Sequence, residues 1–142
     1  MKKVNDILKV KGNDVWSIGP EASVYDAIHL MTEKKVGALM VMEGGKLVGV
    51  ISETDYTRHS ILKGRSSQQT PVKEIMTSRV LYVQAEQDIE ECMVLMTEKR
   101  TRHLPVMDEG KLIGVISIGD AVKSVIDEQR FTIEQLERYI TG

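Results

Sequence analysis

Two short runs hold the residue types with most chemistry to offer: Ser52-Glu53-Thr54-Asp55 and Ser117-Ile118-Gly119-Asp120, each entered through Gly-Val-Ile. At a strand-to-helix junction, Ser-x-x-Asp forms a capping box. The serine accepts from the amide three residues on, and the carboxylate reaches back. The same geometry suits an anion, because a helix N-terminus presents free amides and the positive end of its dipole. A hydroxyl there can bond a phosphate oxygen, and a carboxylate can accept from two vicinal ribose hydroxyls. The spacing leaves both readings open, and they are not exclusive.

Other reactive side chains have simpler explanations. Cys92 and His103 suggest a nucleophile and base, yet Cys92 falls on the apolar stripe of a helical pattern, where a free cysteine is a small core hydrophobe. No third group orients the pair, so a catalytic centre is not expected. His29, His59 and His103 are scattered and no thiolate cluster joins them, which argues against a metal site. Met31, Met40, Met93 and Met96 read as core filler. Lys34-Lys35 and Lys99-Arg100 read as helix ends that suit the dipole. Arg65-Ser66-Ser67 reads as an exposed linker rather than a modification loop.

The elements that position the two runs are themselves duplicated. Met31-Thr32-Glu33-Lys34 returns 65 residues on as Met96-Thr97-Glu98-Lys99, and the stretch from Gly45 to Ser52 returns as Gly110 to Ser117. No gap is needed between 15–55 and 80–120. Each copy predicts a strand (Val15–Ile18, Val80–Val83), then a helix with apolar spacing (Val24, Ala27, Ile28, Met31; Ile89, Cys92, Met93, Met96). Glu21 and Asp88 stand near the starts of those helices. A glycine-turn hairpin and a second helix opened by Ser52 or Ser117 complete a β-α-β-β-α unit. The expected boundaries are 1–62 for the first repeat, 63–71 for a polar linker, 72–126 for the second repeat and 127–142 for an amphipathic tail helix. That tail carries Ile133, Leu136 and Ile140 on one stripe, with Thr132 and Gln135 offering a cap. Units of about 60 residues are marginal alone, so the copies should pack on each other.

Composition narrows the class. The 142 residues are 42% hydrophobic and 28% charged, an ordinary globular balance. A net charge of −2 and only six aromatic residues argue against nucleic-acid binding. One cysteine excludes an internal disulfide. The basic start, Met1 to Ile7, lacks the apolar run of a secretory signal, and no stretch approaches the roughly 20 apolar residues of a membrane span. A cytoplasmic protein without membrane contact is the expectation.

The tandem β-α-β-β-α copies, each carrying Gly-Val-Ile-Ser-x-x-Asp, resemble a pair of CBS domains (the cystathionine β-synthase type). Arg102-His103-Leu104-Pro105-Val106 adds to the likeness, and the stretches Ser52 to Arg58, Lys63 to Ser67 and Thr70 to Val72, with the ending Glu134 to Gly142, are similar to stand-alone bacterial two-CBS proteins. The resemblance implies an α+β fold of two repeats in pseudo-twofold symmetry plus a C-terminal helix, with two clefts for adenosine-containing ligands: AMP, ADP, ATP, NAD or, less fittingly, S-adenosylmethionine. Carried over by residue, Asp55 and Asp120 would hold ribose hydroxyls, and Ser52, Thr54 and Ser117 the phosphate. Val15 and Ser17, and Thr77, Val80 and Tyr82, belong to segments that would wall the adenine; Arg102 and His103, beside Pro105, match phosphate-neutralising positions.

The copies differ where charge matters. Gly37-Ala38 stands opposite Arg102-His103, Thr54 opposite Gly119, and Glu53 opposite Ile118. The Ser117–Asp120 cleft is therefore the preferred AMP-type site, while NAD in the first cleft would need Arg58 or another cation. The resemblance thus implies a non-enzymatic adenine-nucleotide sensor, a homodimer that acts in trans on an unidentified protein. The alternative is a ligand-free dimerisation or assembly module with vestigial clefts. An enzyme such as a nucleotide hydrolase would need a base, nucleophile or metal cluster that the sequence does not supply.

Overall fold

In the computed structural model, which describes residues 2–64 and 66–141, the two apolar periodicities become helices α2 (Val24–Lys34) and α4 (Ile89–Lys99). Ser23 caps α2 by accepting from the Asp26 amide at 3.0 Å. Both helices end on the second residue of the basic pairs, Lys35 (φ 56°) and Arg100 (φ 53°), in left-handed caps. Each helix is followed by an antiparallel hairpin: β2 (Ala38–Glu43) with β3 (Lys46–Ser52), and β5 (His103–Asp108) with β6 (Lys111–Ser117). The pairing is the same in both, Ala38 opposite Ser52 and His103 opposite Ser117, with a register shift at Val41/Met42 and at Val106/Met107.

The first strands are shorter than the sequence predicts. β1 is Ser17–Ile18 and β4 is Val83–Gln84, so Val15 and Val80 to Tyr82 precede them as irregular chain. Both strands pair in parallel, Ser17 with Met40 and Val83 with Val106, giving two three-stranded sheets in the orders β1-β2-β3 and β4-β5-β6. α3 (Glu53–Lys63) and α5 (Ile118–Thr141) follow the two sheets.

An element absent from the sequence reading is α1 (Val4–Lys11). It belongs spatially to the other copy. The chain forms two compact units, Val15–Leu81 and Met1–Asp14 with Tyr82–Gly142. Val4, Ile7 and Leu8 of α1 are buried with Val83, Ile89, Cys92, Leu104, Val106 and Ile116. Reciprocally, Val72 and Ile75, expected at the start of the second repeat, are buried with Val24, Ala27, Met31, Leu39, Val41 and Ile51 of the first. Backbone bonds fasten each exchanged segment, Val4 N–H to Gln87 O and Val72 N–H to Ala22 O at 2.9 and 2.8 Å. The polar stretch before Pro71 is fastened too. Thr70 O accepts from the Val24 amide at 2.9 Å, and Ser67 O from the Tyr25 amide at 2.8 Å. Ser66 is exposed, and Arg65 lies outside the described residues.

The glycines of the repeated Gly-Val-Ile-Ser motif make this exchange sterically feasible. A Cβ on Gly49 would overlap the Met76 side chain and approach Thr77 O to 3.1 Å; one on Gly114 would lie 2.7 Å from Leu8 Cδ2. Room for the incoming segment explains the residue without invoking a ligand.

The expected separate tail helix at 127–142 is instead the second half of α5, one helix of 24 residues. No glycine or proline interrupts it after Gly119, so nothing stops its propagation. Thr132 is therefore not a cap. Its Oγ1 donates to Glu128 O at 3.1 Å, the bond a threonine makes inside a helix.

Candidate functional site

Both Ser-x-x-Asp turns form the capping box. In the first, the Ser52 amide donates to Asp55 Oδ2 at 2.9 Å and the Asp55 amide to Ser52 Oγ at 3.3 Å. In the second, the Ser117 amide donates to Asp120 Oδ2 at 2.8 Å and the Asp120 amide to Ser117 Oγ at 3.1 Å. The next amide is tied to the start of the neighbouring strand, Glu53 N–H to Gly37 O at 3.1 Å and Ile118 N–H to Arg102 O at 2.8 Å. The hairpin register thus sets Gly37-Ala38 beside Ser52-Thr54-Asp55, and Arg102-His103 beside Ser117-Asp120.

The remaining expected residues fall as follows. Arg58 is one turn along α3 from Thr54, and both are exposed. Ser17 pairs with Met40, two residues along β2 from Ala38, with Val15 just before it. Thr77 forms an antiparallel bridge to Val50, two residues before Ser52 on β3, and Val80 belongs to the same unit. Tyr82 is exposed ahead of β4, and Pro105 is buried opposite Val115 in the unit of Ser117.

Charge separates the turns. Lys11, from the last turn of the exchanged helix, donates to Asp120 Oδ2 at 2.7 Å and to Val115 O at 2.9 Å. The neighbouring Asn13 side chain donates to Ile113 O at 2.8 Å, so two polar side chains line the β6 edge. Burial pushes the Asp120 carboxyl up, but the Lys11 ammonium and the bonds from Ser117 outweigh it and hold the group below the usual carboxylate range. Among the described residues, Asp55 Oδ2 accepts from Ser52, through its amide at 2.9 Å and through Oγ at 3.1 Å. The residue 65 positions after Lys11 is Met76. Lys11 was not anticipated, because α1 lies outside the gapless repeat and gives no sign of which copy it joins.

Cys92 is fully buried in the second-copy core, and burial, with help from Glu91 and Asp88, pushes its thiol up to about 11. Such a thiol is a packing group, not a nucleophile. Among the described residues no three His, Cys, Asp or Glu side chains converge as a metal site, and no helix is long and apolar enough to cross a membrane. A cavity of about 10 Å³ lined by Tyr56, His59 and Thr70 has room for roughly one water.

Two α+β repeats, each ending a hairpin in a capped Ser-x-x-Asp turn, define a tandem-repeat module. The CBS domain family profile matches it twice, over residues 4–61 and 72–127, and the chain belongs to that family. It is 40% identical to the mitochondrial CBS domain-containing protein CBSX3 of Arabidopsis thaliana, with 98% of this chain and 72% of the relative covered. It is 30% identical to the CBS domain-containing protein YhcV of Bacillus subtilis, covering 90% of this chain and 89% of that one. A solved structure of a protein with CBS domains from Burkholderia ambifaria MC40-6 is 52% identical and superposes with a TM-score of 0.87 over 90% of this chain and 96% of the other. CBS pairs of this kind are regulatory or signal-transduction modules.

Proposed function

We propose that the chain is a cytoplasmic, non-enzymatic sensor of adenine nucleotides, homodimeric, acting in trans on a protein partner. AMP, ADP, ATP or NAD fit the reading better than S-adenosylmethionine. The observation that carries it is the cation at the second turn: Lys11 sits on Asp120 at 2.7 Å, where the Ser117 cap adjoins Arg102-His103. A ribose diol would take the Asp120 carboxylate as its acceptor. The displaced Lys11 ammonium and the exposed Arg102 would then meet the phosphate. In this reading Ser117, Asp120, Arg102 and His103 form the stronger half-site, with Pro105 and Tyr82 from the same unit. Ser52, Thr54, Asp55, Gly37, Ala38 and Arg58, walled by Val15 and Ser17, form the weaker one. Thr77 and Val80 are proposed adenine-wall residues. Signalling requires the ligand to favour one of two conformations, since only differential affinity moves an equilibrium.

Isothermal titration of nucleotide-free protein with AMP, ADP, ATP, NAD and S-adenosylmethionine tests this, with Asp55→Ala and Asp120→Ala beside the wild type. Saturable binding that weakens at least about tenfold in Asp120→Ala, and less in Asp55→Ala, is expected. Circular dichroism confirms that both variants keep their helices. A second reading, an assembly module with vestigial clefts, is favoured by one feature: each serine hydroxyl and each aspartate is already engaged in its cap. Silence across the panel from folded protein would select it.

A further inference from the structure

Residues 129–140 of α5 are exposed throughout, although Ile133, Leu136 and Ile140 repeat an apolar stripe there. The family match ends at residue 127, so this half-helix is additional to the CBS module. An isolated helix of this length is marginal in water, and an exposed apolar stripe makes it more so. The stripe has a definite period. Val122, Ile126, Gln129, Ile133, Leu136 and Ile140 alternate steps of four and three, an average of 3.5 residues that keeps one seam facing a partner helix. Isoleucine occupies the a positions 126, 133 and 140, and the d positions 122, 129 and 136 carry valine, glutamine and leucine.

Flanking charges identify the partner. On this heptad, Arg130 and Glu137 are the e residues of the exposed half, with Thr132 and Tyr139 at g. In an antiparallel pair of identical helices, e faces e′ and g faces g′. Packing Ile133 against Leu136′ then sets Arg130 beside Glu137′ and Glu137 beside Arg130′. The two-fold axis satisfies both ion pairs at once, as an isologous interface requires. In a parallel pair Arg130 would face Val125′ and Glu137 would face Thr132′, with no charge match. We infer that the C-terminal half of α5 is a self-association surface whose occupant is the same helix of a second copy, antiparallel, with Ile133–Leu136′ layers flanked by Arg130–Glu137′ pairs. This surface is independent of the nucleotide reading.

Light scattering and sedimentation of the full chain across a concentration series provide the test, without nucleotide. The paired substitution Ile133→Asp and Leu136→Asp alters exposed side chains, so the body should melt as in the wild type. It is expected to halve the particle mass and to weaken association at least about a hundredfold. Arg130→Glu and Glu137→Arg are each expected to weaken association several-fold, and their combination to restore it. A wild-type mass equal to that of the paired Asp variant at every concentration of the series overturns the surface. Failure of the combined charge swap to restore association overturns the antiparallel arrangement.

Discussion

The two Ser-x-x-Asp turns share a backbone and differ in electrostatics. Both close a capping box and both tie the next amide to the neighbouring strand, with distances that agree within a few tenths of an ångström. Around the first stand Glu53, Thr54 and Gly37-Ala38; around the second, Ile118, Gly119, Arg102-His103 and Lys11. The cap is therefore the common structural device, and its neighbours determine what each turn can bind. The decisive neighbour, Lys11, comes from the segment exchanged between copies, not from the repeat itself.

The exchanged segments provide the sharpest way to break the comparison. Leu8 and Lys73 are equivalent by the 65-residue shift, yet Leu8 is 2% exposed in a core and Lys73 pairs with Glu21 on the surface. Leu8→Ala should cost about 2–5 kcal/mol, because it opens a cavity between α1 and the β4-β5-β6 core. Lys73→Ala should leave the urea midpoint unchanged. Equal effects would mean that the segments are equivalent and that α1 is not part of the second-copy core.

This inequivalence also shows what the sequence could convey. The gapless stretches 15–55 and 80–120 contain both hairpins, both capping turns and the helices α2 and α4, and all of these form where the periodicities place them. The segments that complete the cores diverge. α1 buries Val4, Ile7 and Leu8 at α-helical spacing, whereas the 3₁₀ turn Val72–Glu74 leads a segment burying Val72 and Ile75. Val10 is 85% exposed, while Ile75, 65 residues on, is 5% exposed. A chain exchange leaves no local pattern, since Val4 meets residues about 80 positions away. The same reason hid Lys11. The tail departs from expectation for another reason: the Thr-x-x-Gln run suggests a cap, but α5 runs through it uninterrupted and Thr132 lies inside the helix, donating to Glu128 O.

The next largest effect concerns acid. Asp120 has a depressed pKa in the fold, so its contribution to stability is present above the unfolded value near ~3.9 and is lost as pH falls through the folded value. Lys11→Met removes the cation, so the Asp120 carboxyl should titrate closer to the unfolded value and its acid-labile contribution shrink. The pair is partly exposed, with side chains at 37% and 25%, so the loss at neutral pH should not exceed about 1 kcal/mol. Carboxyl resonances followed by NMR from about pH 6 to pH 2 would report it. An unchanged Asp120 titration in Lys11→Met would separate the two residues electrostatically and remove the main distinction between the turns.

The smallest effect lies in the hairpin turns. Gly44 (φ 57°) and Gly45 (φ 79°) join β2 to β3, whereas Glu109 (φ 48°) and Gly110 (φ 79°) join β5 to β6. A two-residue turn with both φ values positive matches the strand twist, and it suits glycine or asparagine at its first position. Glu109 bears the left-handed cost of about 1–2 kcal/mol that Gly44 avoids. Glycine loses more backbone entropy on folding, roughly 0.5–1 kcal/mol, which offsets part of the gain. Glu109→Gly should thus stabilise the second-copy unit by about 0.5–1 kcal/mol, and Gly44→Glu should destabilise the first by a similar amount. Both positions are exposed, so no packing change obscures the reading, and urea midpoints at constant m-value measure it. If Glu109→Gly instead destabilised the protein, the glutamate side chain would be supplying an interaction beyond its strained backbone, and the two hairpins would differ in more than turn chemistry.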